Sequence, residues 1–107
     1  MLRIHQTILE MIADVRRYAD VIAAKDRDLA RQLRRCSMSV LLNEAEGSGG
    51  RGGTRRARYD DALGSARETV AALEGAEAAG YIEAFRPDTR RRLDIIIGTF
   101  VRVLHPR

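Results

Sequence analysis

At 107 residues, with 32% charged and 45% hydrophobic side chains, no tryptophan and two prolines, the chain is expected to fold as one globular domain rather than to stay disordered. Nineteen basic against fifteen acidic residues leave a formal charge of +4, carried almost wholly by arginine because Lys25 is the sole lysine. The lone Cys36 excludes an internal disulfide, no run approaches the roughly 20 apolar residues of a membrane-crossing helix, and Glu10, Asp14 and Asp20 interrupt any signal-peptide core, so a cytoplasmic location is expected.

Ile4, Ile8, Met11, Val15, Tyr18 and Ile22 recur at steps of four and three, which winds them onto one face and predicts a helix over about 3–24. Asp26 offers an acceptor for the free amides of a second helix over about 27–46, whose seam is Leu29, Leu33, Cys36, Val40 and Asn43. Residues 47–53 read Gly-Ser-Gly-Gly-Arg-Gly-Gly and predict a flexible loop. Thr54 then caps a third helix over about 55–79, with Tyr59, Leu63, Ala66, Val70 and Leu73 as its seam and Gly80 as its stop. Asp88 caps a fourth over about 89–104, with Leu93, Ile97, Phe100 and Leu104 in register and Pro106 ending it.

Four such seams joined by short connections predict an all-α fold, an antiparallel up-down four-helix bundle in a single domain spanning 1–107. Two helices carry a second stripe as well: Leu9, Ile12, Ala19 and Ala23 on the first, Ala57, Gly64, Ala71 and Ala78 on the third. A wide core accounts for either stripe as readily as a subunit contact does; the two together favour self-association.

Catalytic chemistry finds little support. Gly47, Gly49 and Gly52 satisfy the GxGxxG spacing, yet a helix precedes them where a dinucleotide site requires a strand, and Gly53 stands where a P-loop has its lysine. His5 and His105 lack a matching ligand set and read as surface residues, Ser37 and Ser39 lack a partnered histidine, and Cys36 falls on a core seam. No catalytic residue, metal site or cofactor is expected, and the chain is read as not an enzyme. Asn43, on a seam where an unpaired amide is costly, is expected to bond backbone or a neighbour and so fix helix register; Glu46, opposed by the dipole at a helix end, is expected to bond into the next loop.

The arginines carry the functional signal. Arg51, Arg55, Arg56 and Arg58 surround the start of the third helix, and Arg86, Arg90, Arg91 and Arg92 the start of the fourth. Cations there oppose the macrodipole, whereas arginines beside free amides favour phosphate or acidic partners. Up-down topology sends the clusters to opposite ends, with Lys25, Arg27 and Arg31 joining the second, and a ring of subunits would multiply each into a basic rim suited to nucleic acid. Ordinary surface charge, partly neutralised by Asp60, Asp61, Asp88 and Asp94, explains the same residues equally well.

The stretch QLRRCSMSVLLNEAEG, from Gln32 to Gly47, resembles the four-helix bundle proteins encoded in intervening sequences of bacterial 23S ribosomal RNA genes, whose signature here is close to Asn-Ile-Ala-Glu-Gly. Asn43, Ala45, Glu46 and Gly47 match that run as its structural motif, and Glu44 departs from the usual apolar residue. The likeness resumes at Tyr59 and ALGSARET, ends with Gly80, Tyr81 and Ile82, and covers roughly residues 4–104. It implies a four-helix protomer of a ring-like homopentamer, in a family that includes the accessory protein of diversity-generating retroelements, which binds nucleic acid and a reverse transcriptase. Two functional expectations follow: nucleic-acid binding, RNA or DNA, through basic rims, as an accessory to an enzyme such as a reverse transcriptase; or a scaffold that docks an acidic protein.

Overall fold

The computed structural model describes residues 2–106, so the outer limits expected for the domain, 1 and 107, lie outside the described residues. Four helices follow in chain order: α1 (His5–Ala23), α2 (Arg27–Gly49), α3 (Gly52–Ala78) and α4 (Pro87–Leu104). Each packs on its sequence neighbour, α2 on α3 most extensively, and α4 returns to α1, which closes the up-down bundle. The long axis measures 42 Å, and the 27 residues of α3, at about 1.5 Å each, run nearly its whole length.

The seams predicted from spacing form the core. Ile4, Ile8, Met11, Val15 and Ile22 of the first helical stretch are buried, as are Leu33, Cys36 and Val40 of α2, Tyr59, Leu63, Ala66 and Leu73 of α3, and Leu93, Phe100 and Leu104 of α4. Tyr18, Leu29, Val70 and Ile97 pack against them only partly buried, and on α4 it is Ile96, not Ile97, that is fully enclosed. Both choices satisfy a three-or-four spacing, because one residue rotates the face by only about 100°.

On α2 the seam passes from Val40 to Glu44 and Gly47, not through Asn43: the Glu44 carboxylate is fully buried, while Asn43 is half-buried beside it. His5 Nδ1 bonds Glu44 Oε1, and Ser48 Oγ donates to Oε2 at 2.8 Å, so the buried charge has partners from α1 and from its own helix. His5 is therefore a half-buried packing residue and not the surface histidine expected, whereas His105 is exposed.

The predicted loop over 47–53 is the main departure. The helix continues through Gly49, only Gly50 and Arg51 connect, and α3 already begins at Gly52, which takes the left-handed φ of +54°. Two side-chain contacts lie along this stretch: Ser48 donates to Glu44 one turn earlier in the same helix, and Tyr59 of α3 lies so close over Gly47 that a Cβ there would meet Cε1 at 2.5 Å. Thr54 consequently falls inside α3, whose N-cap Arg51 makes no side-chain cap. Asp26 does cap α2, accepting from the Leu29 amide at 2.9 Å. Asp88 does not cap α4; Pro87 starts that helix after an extended Arg86, and Asp88 lies in its first turn. Gly80, at φ +78°, ends α3 as expected.

Candidate nucleic-acid interface

The arginine clusters lie at opposite ends of the bundle. At one, the α2–α3 connection meets the start of α1 and the finish of α4; Arg56 Nη1 donates to the Leu104 carbonyl at 2.7 Å, supplying a cation and a donor to the last turn of α4. Arg58 Nε reaches Glu46 Oε2 at 2.9 Å and Asp61 at 3.8 Å, tying the last turns of α2 to α3, so Glu46 bonds into the next helix rather than a loop. Arg51 and Arg55 stand exposed with no carboxylate partner among the described residues. Behind them Tyr59 packs tilted on Phe100, ring centres 5.7 Å apart, leaving a recess of only about 90 Å³.

At the other end most of the second cluster is occupied internally. Arg92 Nη1 bonds the buried Asp14 carboxylate at 2.5 Å and approaches Glu10 at 3.9 Å, and that bond to Asp14 pushes the guanidinium above its usual range. Asp14 also accepts from Arg17 at 2.7 Å and from the Thr89 hydroxyl at 3.1 Å, which locks α1 to α4. Arg90 lies over the Phe85 ring at 4.3 Å and near Glu74 at 3.5 Å, and Arg91 is 3.9 Å from Asp88. Arg86 alone of the four has an exposed side chain without a carboxylate partner among the described residues; its amide donates to Tyr18 Oη at 2.5 Å.

The cations that replace them lie at the α1–α2 turn. Lys25, Arg27, Arg31, Arg34 and Arg35 border an open cleft of about 830 Å³ floored by Ala23 and Ala24. Arg34 and Arg35 escape a reading that looks only for clusters at helix starts; the signal that would have found Arg35 is the four-residue column Arg27, Arg31, Arg35.

The remaining motif residues knit helices together. Asn43 Nδ2 donates to the Ser39 carbonyl and hydroxyl, both at 3.0 Å and within α2, while the bond from α3 is that of Ser65 Oγ to Ser39 Oγ at 2.9 Å, so the amide meets α3 only through Ser39. An open groove of about 540 Å³ passes Asn43 and Arg58 but does not include Glu46. Cys36, bonded by the Thr69 hydroxyl at 3.3 Å, has its thiol pKa pushed up by burial, the opposite of an activated nucleophile.

The fold and these ends define an all-α antiparallel bundle with exposed arginine at both poles. The chain belongs to the 23S rRNA-intervening sequence protein family, which matches it over residues 1–93. No curated protein and no solved structure matches the chain. None of the described helices is long and apolar enough to cross a membrane.

Proposed function

We propose that the protein is a non-catalytic, cytoplasmic, oligomeric bundle that binds RNA or DNA electrostatically at its poles, as an accessory to a nucleic-acid-processing enzyme such as a reverse transcriptase. One observation supports this reading above others: Arg51, Arg55 and Arg86, with Lys25, Arg27 and Arg35, are exposed cations without carboxylate partners among the described residues, and they stand at both poles. A ring-like pentamer, implied by the family resemblance, would repeat each pole around an axis and raise its potential.

Fluorescence anisotropy with structured RNA and single-stranded DNA tests the reading. Binding should weaken steeply as salt rises, and Arg51→Ala with Arg55→Ala should weaken it on every sequence alike. Absence of binding at low salt would end the nucleic-acid reading. The same exposed cations would serve a second reading, a scaffold that docks an acidic protein; a pull-down that survives nuclease treatment would select it.

A further inference from the structure

We infer that the cleft at the α1–α2 turn is where this protein grips a phosphodiester backbone most strongly, through Lys25, Arg27 and Arg35, with the Arg51 and Arg55 pole adding to it; the inference rests on the nucleic-acid reading and assigns it a main site.

Charge accounting leads there first. Two carboxylates border the cleft: Asp28 is paired with Arg31 at 2.8 Å, while Asp26 accepts from the Leu29 amide at 2.9 Å and keeps its negative charge, one against three unpaired cations. Arg34 reaches across to Asp20 of α1 at 2.7 Å. Lys25, Arg27 and Arg35 are left around one concavity, exposed and without a carboxylate partner among the described residues. By contrast, three of the four arginines at the start of α4 are held by carboxylates of the bundle.

Helix stability does not account for Arg27. Arg27 is the first residue of α2, where a cation opposes the helix dipole. Arg27, Arg31 and Arg35 climb α2 in steps of four residues, about 6 Å each, so they present positive charge as a column and not as a point. Ala23 and Ala24 leave the space before that column open, and about 830 Å³ lies within the range of ligand-holding clefts.

The column also has an exit. A groove of about 500 Å³ between α2 and α3 shares Arg31, Arg35 and the Arg31-paired Asp28 with the cleft and continues over Gln32 and Ser39 to Glu68, whose carboxylate would repel a phosphate and so mark where the backbone leaves. Nothing in this track offers aromatic stacking or a built base pocket, so the grip should be indifferent to sequence.

The test uses the full chain, a fluorescein-labelled single-stranded RNA and its DNA counterpart, across a salt series. Lys25→Ala, Arg27→Ala and Arg35→Ala combined should lower affinity at least tenfold at low salt. The same variant should flatten the slope of log affinity against log salt by about 2, because each phosphate of a single strand that the protein no longer neutralises removes about 0.7 from it. Unchanged circular dichroism and melting would show that the bundle is intact. If the wild-type chain binds and the triple variant binds equally, with the same slope, the cleft assignment falls while the nucleic-acid reading stands. If the wild-type chain binds neither strand, both fall. Pyrophosphate, followed by amide shifts of residues 25–35, separates the remaining source: shifts with pyrophosphate but no polynucleotide binding would replace the backbone with a small phosphate compound and overturn the inference.

Discussion

Glu44 occupies a position where a bundle ordinarily places an apolar side chain, and it is fully buried there. Both carboxylate oxygens are used, one by His5 of α1 and one by Ser48, whose hydroxyl also lies 3.3 Å from that of Tyr59 on α3. A buried carboxylate held this way links three helices, but its desolvation offsets much of the attraction. Glu44→Ala leaves His5 and Ser48 without their shared partner and opens a cavity, so it should cost about 3 kcal/mol, read as a lower urea midpoint at unchanged slope. Glu44→Leu together with His5→Leu removes charge and orphan alike and should be neutral or stabilising. A loss under about 1 kcal/mol for the alanine variant would mean the network contributes nothing beyond packing.

Among the elements, the glycine-rich stretch separates local preference from tertiary control. Gly47 is buried beneath Tyr59, whose ring packs tilted on Phe100. Gly47→Ala, whose Cβ would come within 2.5 Å of that ring, should therefore cost about 1–3 kcal/mol despite alanine's better helix propensity. Gly49, with nothing within 4 Å of such a Cβ, is the control: Gly49→Ala should stabilise by about 0.5–1 kcal/mol. Thermal melts of the two variants shifting in the same direction would contradict this account. The pair also shows what the sequence made legible. Seams such as Ile8–Met11–Val15 could be read because burial repeats with the helix turn, whereas the packing of Tyr59 over Gly47, twelve residues away, is encoded by no local pattern. Likewise the arginines could be counted from the chain, but which of them are neutralised depends on partners as remote as Asp14 for Arg92.

The molecule as a whole exposes 6536 Å², more than the roughly 6,000 Å² expected of a compact monomer of this mass, because it is long and narrow. Part of that surface is apolar in a patterned way. Met38 and Leu42 lie one turn apart on the side of α2 opposite Val40, and the Ala57, Gly64, Ala71 and Ala78 stripe of α3 is exposed along its full length. Of the corresponding stripe on α1, Ala19 is instead buried and Ile12 and Ala23 are partly so, which makes that part a widening of the core, while Leu9 stays exposed. Small residues in a row admit close approach of another helix, and two large apolar side chains supply an anchor; an interface of about 800 Å² on each partner would give a stable assembly. Light scattering after size exclusion should then return a multiple of 12.0 kDa, and Met38→Glu with Leu42→Glu should lower the mass towards one chain while circular dichroism stays helical. A wild-type mass of one chain at tens of micromolar protein would refute assembly through these faces. The poles would then have to attract nucleic acid with the charge of a single bundle, and the salt slope would be correspondingly shallow.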